Sequence, residues 1–325
     1  VYFCYGFTDG GTTSTSSWRH VVYVGNVWTS SQTFATSVYN LALGSSYVYR
    51  CYATNSTGTS WSTLRSIFQG VHFFVSTNGS NMAPFDTWEK AATNIDTGMG
   101  LASDTNHVVW VGPGSYGVVA QINVLKPITL RSSEGPSKTV VFRNSTANMR
   151  VFYVSNDLAV VDGFMITNGY TWTTAPADRG AGVQLARGTL RNCNVAANRA
   201  YYGGGVFIDN GIVTNCTITN NTAAYSGGGI YMTTGRVVQS TIMTNFALNY
   251  DGGGIWMQSG EVLNSTISRN VASLRNGGGI YADYRFGVIS NCVISRNLAL
   301  SAGYGGGVLM RTGRILDSQI DRNYC

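Results

Sequence analysis

The sequence predicts an all-β fold: a parallel β-helix with an N-terminal capping helix, preceded by a partial β-sandwich domain. Three observations predict it. A glycine phrase recurs as GAGVQ (180–184), GGGVF (203–207), GGGIY (227–231), GGGIW (252–256), GGGIY (277–281) and GGGVL (305–309). A second phrase follows each copy: NCNVAAN (192–198), NCTITNN (215–221), QSTIMTN (239–245), NSTISRN (264–270), NCVISRN (291–297) and DSQIDRN (317–323). The third glycines stand at 182, 205, 229, 254, 279 and 307, in steps of 23, 24, 25, 25 and 28. A fixed period of this size marks a repeat architecture, and it leaves room for short β runs but none for a helix. Composition agrees: 40 Gly, 5 Pro and only 11% charged residues favour strands and tight turns.

Residues 1–69 lack the glycine phrase and hold Trp18, Trp28 and Trp61. In LALGSSYVYRCYATNSTG (41–58), Tyr47, Tyr49, Cys51 and Ala53 are expected to alternate inward, with a turn over Asn55–Gly58. This stretch resembles the F strand of a fibronectin type III or Ig-like sandwich, with Tyr47, after Leu41 and Gly44, at the tyrosine-corner position. Such a domain needs about 100 residues, so its first strands are expected to be missing and the chain to be a fragment. Cys4 and Cys51 form a candidate disulfide between neighbouring strands.

Residues 70–170 read as a cap and irregular first coils. PFDTWEKAATNI (84–95) is the one helix signal: Asp86 or Thr87 can cap it, and Trp88, Ala91, Ala92 and Ile95 share a face. HVVWVGPGSYG (107–117), INVLKPITLRSSEGP (122–136), KTVVFRN (138–144) and VFYVSNDLAVVDGFMITNG (151–169) supply strands and turns. YTWTTAPADR (170–179) reads as a loop leaving the barrel.

In the regular repeats, 180–325, three short strands per coil are expected. Alternation puts Val206/Ile208, Ile230/Met232, Ile255/Met257 and Val308/Met310 inside, with Phe207, Tyr231, Trp256 and Tyr281 outside. Further inward centres are Leu190, Val213, Val237, Val262, Ile289 and Ile315, then Val195, Ile218, Ile242, Ile267, Ile294 and Ile320. Stacking coils at about 4.8 Å places equivalent residues in ladders. Asn198, Asn221, Asn245, Asn270, Asn297 and Asn323 form an asparagine ladder. Cys193, Cys216, Ser240, Ser265, Cys292 and Ser318 form a column of small residues, its cysteines read as buried hydrophobes; a bond between Cys193 and Cys216 stays open.

The phrases Gly227–Ile230 and Ile242 to Ala247 resemble the right-handed parallel β-helix repeats of large bacterial surface proteins. They are similar to the GGA[IV] and FxxN repeats of the chlamydial polymorphic outer-membrane family, with Ile or Val where that family has Phe. The order strand, capping helix, VxPGxY, KPITLRS and VDGFxITNG resembles the start of pectate-lyase-like β-helix proteins.

The net charge of +6 comes without a Lys/Arg cluster, so nucleic-acid binding is not expected. Arg269, Arg296 and Arg322 make a column that reads either as solvated charge or as a contact for anionic surfaces. Neither a zinc-like Cys/His spacing nor an apolar run of membrane length is present. Asp209 and Asp283 share a column three coils apart, about 14 Å, too far for a glycosidase pair. Asp251 and Glu261 stand alone in theirs, and Asp162 belongs to a turn. No catalytic residue, metal or cofactor is assigned. The candidate contact surface is aromatic: Phe207, Tyr231, Trp256 and Tyr281, beside Tyr201, Tyr225 and Tyr250, which continue into Arg275. It reads either as self-stabilisation or as a surface for glycan or a neighbouring chain. The expected protein is extracellular or cell-surface, bacterial, structural or adhesive and not an enzyme, as a subunit or fragment of a filament or cell-surface assembly, with copies of itself or other surface proteins as partners. The alternative is a secreted polysaccharide lyase or hydrolase.

Overall fold

The computed structural model divides the chain into two compact units, residues 1–72 and 73–325. It describes residues 1–26, 34–39, 41, 45–69, 71–172, 178–301 and 303–325. Trp28, Gly44 and the middle of the 170–179 loop lie outside the described residues.

In the first unit, β1 (Tyr2–Gly6), β2 (His20–Tyr23), β3 (Ser45–Asn55), β4 (Gly58–Trp61) and β5 (Arg65–Gln69) form one antiparallel sheet. Its order is β2-β1-β3-β4, with β5 also on β3. Phe3, Tyr5 and Tyr47 are its buried centre, with Val22, Tyr49 and Cys51 packed against them. The inward alternation stops at Cys51: Ala53 is exposed, because it lies beyond the β1 pairing and faces only Ser60 of β4.

The expected Cys4–Cys51 bridge is not formed, and both thiols are free. The two cysteines do lie on paired strands, but Cys4 stands opposite Arg50 and Cys51 opposite Phe3. An offset of one residue turns the side chains to opposite faces of the sheet. Burial raises the pKa of both thiols above its ordinary value. Thermal unfolding is therefore expected to give the same Tm with and without a thiol reductant. A native disulfide would add about 2–5 kcal/mol, so a clear drop in Tm on reduction would restore the bridge.

The second unit is a parallel β-helix. One row of its largest sheet stacks eight strands, from Ile122–Val124 to Val308–Met310, and a second row continues it around the coil. A nine-stranded sheet runs from Gly114–Val118 to Gln319–Asp321. A fourth run, absent from the three-strand expectation, is a six-stranded sheet of two-residue strands such as Val271–Ala272. It follows the ladder asparagines and points Ala200, Ala223, Ala247, Ala272 and Ala299 into the core. Two residues are too few to carry a period that could be read in the sequence.

Residue parity follows the prediction. Val206, Ile208, Ile230, Met232, Ile255 and Met257 are fully buried, as are Leu190, Val213, Val237, Val262, Ile289, Val195, Ile218, Ile242, Ile267 and Ile294. Val308 and Met310 are only half-buried, and Ile315 and Ile320 are exposed. Their strands are paired on one side alone.

The helix lies elsewhere than expected. Residues 84–94 are turns, and α1 is Ile95–Gly100, capped by Asn94, whose Oδ1 accepts from Thr97 N at 2.9 Å. The backbone of the expected helix is committed to the neighbouring strand. Phe85 O accepts from Phe74 N at 2.8 Å, Ala92 N donates to Phe74 O at 2.9 Å, and Ala92 O accepts from Ser76 N at 2.9 Å. Groups so paired cannot also form a helical ladder. α1 still packs on the core, burying Ile95 and Met99 and bringing Gly98 onto Val75 and Val109. Lys126 Nζ closes its C-terminus, donating to the carbonyls of Gly100 at 3.0 Å and Ala102 at 2.7 Å.

Two polar ladders register the coils. In the asparagine ladder, each Nδ2 donates to the next Oδ1, at 3.0 Å for Asn198–Asn221, 3.1 Å for Asn221–Asn245 and 2.9 Å for Asn245–Asn270. The column of small residues proves polar as well. Cys216 N donates to Ser240 Oγ at 3.2 Å, Ser240 N to Ser265 Oγ at 3.1 Å and Cys292 N to Ser318 Oγ at 3.1 Å. The buried Cys193 and Cys216 remain thiols, and burial pushes Cys193 well above the usual thiol pKa.

Candidate functional site

The outward aromatic residues of successive coils stack face to face. Phe207–Tyr231, Tyr231–Trp256 and Trp256–Tyr281 have ring centroids 4.9, 4.0 and 6.4 Å apart and planes within 9–15° of parallel. Their registers are direct strand pairings, Phe207↔Tyr231↔Trp256↔Tyr281. The second stack, Tyr201–Tyr225–Tyr250, has separations of 5.3 and 3.7 Å. Arginines close the stacks: Arg179 lies 4.8 Å over Phe207, Arg311 5.9 Å over Tyr281 and Arg275 4.6 Å over Tyr250.

The first stack does point away from the core, yet it is not an open platform. Phe207 and Tyr281 are only 2% and 5% exposed, and Tyr231 and Trp256 are half-buried. Phe207, Tyr231 and Trp256 cover one another's faces, and Tyr281 lies offset beyond Trp256. What the stacks leave to other groups are ring edges and hydroxyls. A sugar ring that packs on an aromatic face therefore has little face to use here.

Between the stacks runs a cleft of about 230 Å³. Tyr231, Trp256 and Tyr281 line it from one stack, Tyr225 and Tyr250 from the other, together with Ser226, Asp251 and Asp283. Tyr202 crosses it, meeting Tyr225 at 63° and Tyr231 at 69°. Asp251 Oδ1 accepts from Asn276 N at 2.9 Å and Asn276 Nδ2 at 3.0 Å. Asp283 Oδ1 accepts from the Tyr281 hydroxyl at 3.5 Å, and that hydroxyl accepts from Arg311 Nε at 2.8 Å. Among the described residues the Oδ2 atoms of both aspartates have no protein partner.

Burial pushes the Tyr231 pKa up to about 12, helped by Tyr202, and burial raises Tyr281, with Asp251 and Asp283 adding to the rise. Tyr225 is raised by burial and by its hydrogen bond with Tyr250.

All seven candidate contact residues are thus brought to one side of the helix, and five of them line one cleft: Tyr225, Tyr231, Tyr250, Trp256 and Tyr281. Tyr202 and Ser226 carry no expectation from the sequence, whereas Asp251 and Asp283, set aside there as residues of separate columns, meet in the cleft. Tyr202, Ser226, Asp251, Asn276 and Tyr304 each precede a glycine phrase, a column that the alignment contains. Asp283 comes from the position after the strand, so its convergence with Asp251 needs the fold.

Asp162 and Asp209 have structural surroundings. Asp162 is buried, its Oδ2 accepting from Arg131 at 2.8 Å and Arg191 at 3.0 Å. Asp209 meets Gln184 at 3.0 Å and Arg179 at 3.8 Å. Arg269, Arg296 and Arg322 are exposed corner residues with φ of 56°, 57° and 51°. No group of three or more His, Cys, Asp or Glu that could hold a metal ion occurs among the described residues. No helix among them is long and apolar enough to cross a membrane.

Residues 179–325 match the family model described as a right handed beta helix region. The coils are accordingly those of a right-handed parallel β-helix. Among solved structures, the chain is similar to the pectate lyase Pel9A, at 14% identity and a TM-score of 0.51, over 78% of each chain. It is also similar to the pectin methylesterase from Aspergillus niger (12% identity, TM-score 0.42, 77% of this chain and 85% of that one). A rhamnogalacturonan lyase is a third (14% identity, TM-score 0.38, 78% and 87%). At these identities the likeness is one of fold. No curated protein matches the chain.

Proposed function

We propose that this protein is an extracellular structural or adhesive protein, in which the β-helix is a stiff shaft and the cleft between the aromatic stacks is its contact surface for glycan. The amino-terminal sheet, in this reading, belongs to a spacer domain of the sandwich type. The observation that carries the proposal is the cleft itself: tyrosine hydroxyls and two carboxylates with open oxygens, set between rings that hold each other rigid. Stacking and ladder bonds supply the stiffness, since every coil is tied to its neighbours by backbone and side-chain bonds alike.

A second reading, a polysaccharide-cleaving enzyme, has one observation in its favour: Asp251 and Asp283 line the same cleft. Hydrolysis uses such a pair as acid and base or nucleophile. One experiment separates the two. The protein is expected to be retarded in affinity gels cast with a panel of neutral, amino and acidic polysaccharides, on at least one of them. It is expected to release no reducing ends or unsaturated ends from that polysaccharide on long incubation. Release that is abolished by Asp283→Asn would establish the enzyme instead, and no retardation on any polysaccharide would remove the glycan contact.

A further inference from the structure

The cleft carries more information than its aromatic lining. It is lined by two carboxylates and by no basic side chain. The nearby arginines lie against ring faces at the ends of the stacks: Arg179 over Phe207, where its charge also acts on Tyr202 and Tyr231, Arg275 over Tyr250, and Arg311 over Tyr281 and Tyr284. Arg311 further commits its Nε and one terminal nitrogen to the hydroxyls of Tyr281 and Tyr284, at 2.8 and 2.7 Å. Each carboxylate uses one oxygen inside the protein and leaves the other open. The Arg311 charge acts on Asp283 through space, while the open oxygens of both carboxylates favour a donor or a cation in the cleft.

The walls restrict what that cation can be. The faces of Tyr225 and Tyr250, and of Tyr231 and Trp256, cover one another, so a quaternary ammonium has little face to rest on, and the ring edges carry the positive part of the quadrupole. The Tyr231 hydroxyl, the hydrogen-bonding capacity that Tyr225, Tyr250 and Tyr281 have left beyond their bonds within the protein, and Ser226 offer hydrogen bonds instead. The fitting ligand is small, rich in hydroxyls and positively charged.

We propose that the cleft takes one hexose residue bearing a free amine, its ammonium held by the open oxygens of Asp251 and Asp283 and its hydroxyls by the tyrosines around them. This rests on the glycan-contact reading and adds the class of glycan to it. Acidic sugars are rejected by the same two carboxylates, and N-acetylation removes the charge that selects the amine.

The test is titration calorimetry of the full chain with three oligosaccharides of equal length: glucosamine with free amines, its N-acetylated form, and galacturonate. The amine form is expected to bind at least tenfold more tightly than the N-acetylated one, and the galacturonate not to bind. Hydrogen bonds to charged groups contribute about 1.5–3 kcal/mol. Asp283→Asn, which keeps an acceptor beside Tyr281, should therefore weaken the amine form by about tenfold or more and leave the N-acetylated form unchanged. Asp251→Asn should do the same; its contact with Asn276 makes a melting curve a necessary companion. Equal affinity of the wild-type chain for amine and N-acetylated forms, or tighter binding of galacturonate, would overturn the amine assignment and leave the glycan contact standing. Binding of none of the three would overturn this proposal, while retardation on another polysaccharide would keep the broader reading alive.

Discussion

Asn245→Ala is expected to destabilise the β-helix by about 2–6 kcal/mol, measured by chemical denaturation. Asn245 is fully buried, and its side chain joins three coils. Its Oδ1 accepts from the backbone N and the Nδ2 of Asn221, at 3.0 and 3.1 Å. Its Nδ2 donates to Ile218 O and Asn270 Oδ1, both at 2.9 Å. Truncation leaves the Asn221 N–H without its acceptor and removes a donor from the Ile218 carbonyl, in a place that water does not reach. Each buried orphan costs about 1–3 kcal/mol, more than the net value of the bond it lost. Asn221 Nδ2 keeps the Val195 carbonyl at 2.9 Å, which limits the damage on that side. Asn323→Ala is the internal comparison. Asn323 is half-buried, so water can replace much of what its amide supplies to Asn297. The loss there is expected to be less than half as large. Equal losses at the two positions would mean that the ladder contributes registry without stability.

The repeat made much of this legible. Once the glycine phrase sets the register, a period of two decides which residues face the core, because each inward position recurs in every coil and is buried by the same neighbours above and below. The asparagines were readable for the same reason. The failures occur where that redundancy is absent. The segment 84–94 has an amphipathic pattern but belongs to no repeat, and its backbone is taken by the strand Val71–Val75, a tertiary effect that propensity does not contain. The cysteines of the first unit were assigned to the right strands and the wrong faces, since a register offset of one residue leaves no mark in the sequence. The small-residue column looked hydrophobic because three of its members are cysteine, whereas the corner geometry makes every member a donor and an acceptor. The cleft is the hardest case. Asp251 precedes a glycine phrase in one coil and Asp283 follows a strand in the next, so they fall in different columns and only the closed coil brings them together.

Gly253→Ala should be among the most damaging single substitutions in the chain, and it explains why the middle residue of the phrase is glycine. The first, Gly252, turns the corner with φ of +73°, where a side chain is strained. The middle one answers to a different requirement. A Cβ on Gly253 would sit 2.4 Å from the carbonyl carbon of Val271 and 2.5 Å from the carbonyl oxygen of Gly278 in the following coil. Both are backbone atoms, so no rotamer change can make room. The coils cannot part locally either, because Gly253 N donates to Gly277 O at 3.0 Å and Ile255 N to Gly279 O at 2.9 Å. The methyl group must break those bonds or bend the corner, and overpacking of this kind costs about 3 kcal/mol or more where nothing yields. Gly100→Ala, with nothing within 4 Å of the added atom, is the control and is expected to be neutral or stabilising by about 0.4–1 kcal/mol. Asp251 lies two residues before Gly253, at the edge of the cleft, so a bent corner should also weaken whatever the cleft holds. A Gly253→Ala chain that melts with the wild type would mean that the corner slides freely, and that the second glycine of each phrase is not required by contact between coils.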